Sequence, residues 1–246
     1  MVDPIRPEVV FKYTPQLPAR ALRVVIEYSP HPAPDVAVAV AESVRLFESL
    51  VASRAMGREL SMPQFHYAPT NLSVISVENW CLSEEALWVL LRMWRRELSS
   101  ETDGARLRVF SASDRLASIA AADTDLPELV SPLSFSFDFR PAGGWMTLQC
   151  EFRDSLPPAI AAELNNLVQV WADAASLGAF QAAPLAQDMA EESEQSVNTG
   201  SPCVGEDFVS WGIAMPGMDP ASLNCVVNML DEFSRARHPI ELVYLG

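Results

Sequence analysis

Residues able to perform chemistry are present in this chain, but their spacing argues against most reactions. Cys150 with His66 would supply a thiol nucleophile and its base, since such partners need not be neighbours in sequence. Cys150 nevertheless stands where strand alternation calls for an apolar core residue, and a core thiol is the stronger reading. Asp138, Glu151 and Asp154 are the best-placed carboxylates for acid–base work. The matching stretch of the first half offers Lys12 and Glu27, so no shared carboxylate pair is evident. Asp123 and Asp125 in DTDLPE lack the third alternating oxygen ligand, the Gly and the terminal bidentate Glu of a calcium loop. His31, His66 and His238 lie in Pro-adjacent or polar sequence, outside metal-ligand spacing of one another or of any Cys. Cys81, Cys150, Cys203 and Cys225 form no close pair and read as reduced thiols. GxGxxG, GxxxxGK[ST] and GxSxG are all missing. The expectation is a chain with no catalytic residue, cofactor or metal.

Charge is the stronger signal. The net charge is −15. Residues 1–126 hold 13 Lys or Arg against 16 Asp or Glu, whereas the remaining 120 residues hold 4 against 16. Asp188, Glu191, Glu192, Glu194, Glu206 and Asp207 fall within QDMAEESEQSVNTGSPCVGED, which carries no basic residue. Such a field repels nucleic-acid phosphates and attracts basic proteins over a Debye length of about 8 Å. Direct nucleic-acid binding is therefore disfavoured and a basic protein partner is favoured. Acidity that merely keeps the chain soluble is the competing reading. For the acidic stretch itself, a solvated loop and a partner-contact segment both stay open.

Among the tryptophans, Trp94 and Trp171 fall on apolar helical stripes and Trp211 alternates with Val209 and Ile213 along a strand. Trp145 differs, because it follows the Gly143–Gly144 turn and is a candidate partner contact. Arg92, Arg95 and Arg96 read as a solvated helix face, with docking against the acidic half as the alternative.

The elements that would position these residues occur twice. Each half opens with a hairpin signal, EVVFKYTP to ALRVVIEYS and LSFSFDFRP to WMTLQCEF. A helix follows, entered through HPAPD or SLPP, with the stripes Val36, Val40, Val44, Phe47, Val51 and Ile160, Leu164, Leu167, Trp171. Gly57 and Gly178 are placed to end these helices. A later strand, NLSVISVEN or DFVSWGIAM, leads to a helix capped by Ser83 or Asp219. Leu87, Leu90, Leu91, Trp94, Leu98 recur as Leu223, Val226, Val227, Leu230, Phe233. ARLRVFS or IELVYLG closes each half.

The fold class expected is α+β, an internally duplicated ββα-connector-βαβ unit with mostly antiparallel sheet packed against helices. The first unit spans 1–112, a connector with a short helix at 114–122 spans 113–131, and the second unit spans 132–246 with an acidic insertion at about 180–207. Phe11 should match Phe137, Phe47 should match Val168, and Leu87 should match Leu223. One shared sheet and two separate sheets are both compatible with the pattern.

No apolar run is long enough to cross a membrane, and MVDPIRPEVV lacks the pattern of a secretion signal, so a cytoplasmic protein is expected. With one lysine, Lys12, an acidic insertion and the stretch VSWGIAMPGMDP, the chain resembles the immunity proteins of bacterial polymorphic toxin systems. Within them it is most similar to those paired with nuclease toxins of the restriction-endonuclease type. The resemblance implies an inhibitor that binds a cognate toxin, with Asp188, Glu191, Glu192, Glu194, Glu206, Asp207 and Trp145 as candidate contacts. An acidic secretion chaperone or adaptor is the alternative, followed by a carboxylate-dependent enzyme and a DNA-mimicking inhibitor.

Overall fold

In the computed structural model, each half sets its last strand between its first and second strands. The structure describes residues 8–14, 16, 22–27, 34–57, 65–71, 74–79, 84–101, 106–111, 129–140, 144–180, 197–215 and 220–246. In the first half these are β1 (Glu8–Tyr13), β2 (Leu22–Glu27), α1 (Pro34–Ala52), β3 (Phe65–Asn71), β4 (Val74–Asn79), α2 (Glu84–Glu101) and β5 (Arg106–Ser111). The second half holds β6 (Ser136–Phe139), β7 (Gly144–Phe152), α3 (Pro158–Ser176), β8 (Asn198–Thr199), β9 (Cys203–Val204), β10 (Phe208–Met215), α4 (Pro220–Ala236) and β11 (Ile240–Leu245). The fold is α+β, with four described helices and two mixed sheets. One sheet runs β1-β5-β2-β4-β3 and the other β6-β11-β7-β10-β8, with β9 also on β10. In each, only the first strand runs parallel to its neighbour, and the last strand of the half lies beside it. The remaining strands form two split βαβ units, the arrangement of ferredoxin-like sheets.

This order overturns the expected opening hairpins. β5 stands between β1 and β2, and β11 between β6 and β7. A hairpin and a connection that steps over one intervening strand look alike locally. Two strand spacings are about 10 Å, within reach of four extended residues. Arg140 N–H donates to Leu245 C=O at 2.7 Å and Thr147 N–H to Gly246 C=O at 2.7 Å, so residues on both sides of that connection bond to the end of β11.

Alternation decides which sheet face is buried. Val24, Ile26, Leu107 and Val109 point inward in the first sheet, and Met146, Leu148, Cys150, Val209, Ile213 and Val243 in the second. The registers align Phe11, Val109, Val24, Val77 and Tyr67 in one row, and Phe137, Val243, Cys150, Val209 and Val204 in the other. Helices cover the inward faces. On α1, Val40, Val44, Phe47 and Val51 are buried, while Leu164, Val168 and Trp171 anchor α3.

α1 packs on α3, so the helices lie between the two sheets and one buried cluster runs through both halves. α2 is accordingly buried on more than one side, at Ala86, Leu87, Val89, Leu90, Leu91, Met93 and Trp94. Arg92 is half-buried on this helix, which differs from the solvated face expected of it, because α2 lies in an interior layer. The side chains of Arg95, Arg96 and Leu98 lie outside the described residues, as do Ser83, Asp219, Cys81 and the short helix expected at 114–122.

A polar clamp holds the halves together. Asn228 on α4 is 2% exposed. Its amide donates to Ala55 C=O, just past α1, at 3.1 Å, and its carbonyl accepts from Val130 N–H at 2.8 Å. One turn on, Asp231, 1% exposed, accepts from Ser134 N–H at 2.6 Å and from Arg235 Nε at 2.8 Å. Arg235 also donates to Pro132 C=O at 2.8 Å. The Asp231 hydrogen bond raises the Arg235 pKa.

Both α1 and α3 end in the same left-handed turn. Arg54 N–H bonds Val51 C=O and Ala55 N–H bonds Leu50 C=O; Gly178 N–H bonds Ala175 C=O and Ala179 N–H bonds Ala174 C=O. Gly178, φ 74°, fills this position as expected. For α1 the residue is Arg54, φ 61°, and Gly57, φ 107°, follows one bend later. The segment expected to be a bare connector in the first half contains β3, where Pro69 is tolerated because β3 is an edge strand. The end of the acidic insertion is likewise structured, as β8 and β9 on the edge of β10.

Candidate functional site

The outer face of the second sheet carries the candidate residues that the structure describes. Because side chains alternate along β7, burying Met146, Leu148, Cys150 and Phe152 turns Trp145, Thr147, Gln149 and Glu151 outward. On β10 the outward residues are Ser210, Gly212 and Ala214. Trp145 pairs with Ala214 across the strands, so Gly212 is its diagonal neighbour. The indole lies over that glycine: a Cβ built at Gly212 would stand 3.6 Å from Cζ3 and 3.9 Å from Cε3 of Trp145. That edge of the indole is set over the glycine, and Trp145 remains 68% exposed.

The other large indoles of this half are core groups. Trp171 Nε1 donates to Ser222 C=O at 3.0 Å and Trp211 Nε1 to Asn165 Oδ1 at 2.9 Å, and each ring is at most 1% exposed.

Polar groups occur elsewhere on the same sheet. Gln149 Nε2 donates to Glu151 Oε1 at 2.7 Å. Arg140 pairs with Asp138 at 2.9 Å, and its guanidinium lies 5.8 Å from the Tyr244 ring centroid. The hydrogen bond to Asp138 raises the Arg140 pKa. Glu206 and Asp207 form the tight turn from β9 to β10, closed by Gly205 N–H to Phe208 C=O at 2.8 Å, and both are exposed. Their backbone carbonyls accept from Leu156 N–H and Phe152 N–H, which fixes the turn against the end of β7. Trp145 and this turn stand about six residues apart along β10, or roughly 20 Å. A standard interface of about 800 Å² per partner spans that distance.

Asp188, Glu191, Glu192 and Glu194 lie outside the described residues. The carboxylates considered for catalysis are not gathered into one group. Asp138 is engaged by Arg140 on β6, Glu151 by Gln149 on β7, and β11 separates the two strands. Cys150 and His66 belong to different sheets. Cys150 is fully buried, and burial pushes its thiol well above the ordinary value. Cys150, Cys203 and Cys225 are free thiols. Among the described residues, no group of three or more His, Cys, Asp or Glu is placed to hold a metal ion, and no helix is long and apolar enough to cross a membrane.

Tyr244, Arg140 and Gly212 were not singled out from the sequence. Their part in this face depends on β11 lying beside β6 and β7 and on the β7–β10 register.

No family model matches the chain, and no curated protein matches it. Among solved structures, it is similar to the periplasmic protease PqqL from Escherichia coli at 9% identity, over 81% of this chain and 33% of that one, with a TM-score of 0.24. The chain therefore spans about a third of the protease's length. A mutant chlorite dismutase from Candidatus Nitrospira defluvii matches at 12% identity, over 90% of this chain and 85% of that one, with a TM-score of 0.20. At such scores neither likeness bears on what the chain does.

Proposed function

We propose that this chain is two copies of one α+β unit and that it acts without turnover, as an acidic immunity-type inhibitor that binds a basic, nuclease-type protein toxin in the cytosol. The common strand order, the two matching cross-sheet rows and the shared helix-ending turn support the duplication. They also support the pairing of Phe11 with Phe137, since each begins its row and stands opposite a valine, Val109 or Val243.

The observation that carries the binding reading is a highly exposed indole on the outer sheet of the half that holds 16 acidic against 4 basic residues. A nuclease presents a basic groove to its substrate, so an acidic inhibitor gains faster encounter and competes with phosphate. Individual exposed charges contribute only about 0–1 kcal/mol, so lasting affinity needs an anchor that loses water on contact. Trp145 is that anchor. Nucleic acid and membrane are not partners in this proposal.

The test is co-expression with basic nuclease-type toxins, starting with the product of the gene adjacent to that of this chain. Rescue of growth with a stoichiometric complex is the expected result. Improved export of the partner without rescue would favour the secretion-chaperone alternative, and turnover of a substrate by the purified chain would overturn the inhibitor reading.

A further inference from the structure

Three aromatic rings on the two outer sheet faces differ in what covers them. Phe110 on β5 has Lys12 Nζ at 5.9 Å and Arg23 Cζ at 5.9 Å from its centroid. Tyr244 on β11 has Arg140 at 5.8 Å. Trp145 has no cation over its ring among the described residues, although indole is the strongest of the three π donors. Cζ3 and Cε3 of the indole lie over Gly212, and the side chain as a whole is 68% exposed.

The ring also sits in the acid-rich half, on the sheet that carries Glu151, with the exposed Glu206–Asp207 turn roughly 20 Å along β10. A cation approaching this face meets an attractive field first and a free π surface second. We infer that Trp145 is a cation–π seat for an arginine guanidinium of the protein partner, with the exposed indole set over Gly212, where no side chain competes for it. Arginine fits better than lysine, because a planar guanidinium stacks on a ring and sheds its water more readily than an ammonium. This inference rests on the protein-binding reading and specifies the group that the partner contributes.

The experiment uses the full chain with hexa-arginine as probe and hexa-lysine as comparator, at low and physiological salt. Affinity is read by calorimetry, with the folded state of each variant confirmed by circular dichroism. The expected result is tighter binding of hexa-arginine than of hexa-lysine. Trp145→Ala should weaken hexa-arginine by about threefold to thirtyfold, the range of a cation–π contact as it becomes desolvated, and Trp145→Phe should weaken it less. A double change of Glu206→Gln and Asp207→Asn should alter mainly the salt dependence. Unchanged affinity in Trp145→Ala, equal affinity for the two peptides, or no binding of hexa-arginine by the wild type at low salt would each overturn the inference. Growth rescue by Trp145→Ala at wild-type level would likewise overturn it while leaving the inhibitor reading intact, and loss of rescue by the wild type would defeat that reading instead.

Discussion

Replacing Asn228 with Ala removes the amide that joins the end of α1, residue 130 and α4. Two backbone groups then lose their partner: Ala55 C=O, at a buried hydrogen bond, and Val130 N–H, at a part-buried one. A buried polar group left unpaired costs about 1–3 kcal/mol, and the more accessible Val130 N–H falls at the low end because water can replace the lost acceptor. The sum is about 2–4 kcal/mol. For a chain of this size each kcal/mol moves Tm by about 2–4 °C, so a loss of about 4–16 °C is expected. Urea unfolding followed by tryptophan fluorescence should show a lower midpoint with an unchanged slope.

Asn228→Asp adds a sign to the test. The carboxylate still accepts from Val130 but opposes Ala55 C=O in a site only 2% exposed. Desolvation and that carbonyl raise the folded-state pKa of the introduced acid above its unfolded value, so its protonated form is favoured in the fold. Stability of this variant should therefore be greatest in acid and decline as pH rises through the carboxylate range. An Asn228→Ala variant within about 0.5 kcal/mol of the wild type would refute the clamp; so would an Asn228→Asp variant that gains stability as pH rises, once the wild-type pH profile is subtracted.

Gly178→Ala should cost about 1–2 kcal/mol, measured by thermal unfolding, because a Cβ at φ 74° crowds the neighbouring carbonyl. In the native protein a thiol reagent should modify exposed Cys203 quickly and reach buried Cys150 and Cys225 only on unfolding, with mass spectrometry of the labelled peptides as the readout. Burial raises the Cys150 pKa above its unfolded value, so its neutral form supports the fold at low and neutral pH and that contribution declines in alkali. The wild type should lose stability above about pH 9 relative to Cys150→Val, by up to about 1.4 kcal/mol per pH unit, in paired denaturation curves. Neutralising Asp188, Glu191, Glu192 and Glu194 together should slow association with the basic partner and flatten its salt dependence with little effect on dissociation; unchanged association would remove that segment from the mechanism.

What the sequence made legible follows from period. Alternation located β2, β7, β10 and β11 and assigned Cys150 to the core, while the 3.6-residue stripes located α1, α2, α3 and α4. Strand order is a long-range property that period does not encode, and the insertion of β5 and β11 beside the first strands was missed for that reason. β3 escaped because Pro69 and the polar ends of FHYAPTN mask its alternation. Gly57 is the end of α1 that the sequence offers, because glycine enters the left-handed region at least cost, yet the chain places Arg54 there. For the candidate face, the adjacent glycines pointed to Trp145 through a hairpin that does not form; its exposure comes from alternation along β7. The Gly212 seat was not legible, since it depends on a diagonal contact between strands about 65 residues apart in the chain.

The position of the last strand beside the first has a bearing on how the chain is made. Glu8 is paired with Arg106 and Ser136 with Leu242, so the first strand of each half finds its neighbour only when about a hundred further residues have emerged. Until then β1 and β6 have no sheet to join, and β2 and β7 lack one of their two flanking strands. Assembly at the ribosome must therefore begin with the helices and the β2–β4 or β7–β10 pairs, and each sheet closes late, from its final strand. Long loop closures of this kind slow folding and leave strand edges open in the meantime. A stop codon placed before β11 would remove the strand that lies between β6 and β7, leaving a nascent second half with two unsealed edges.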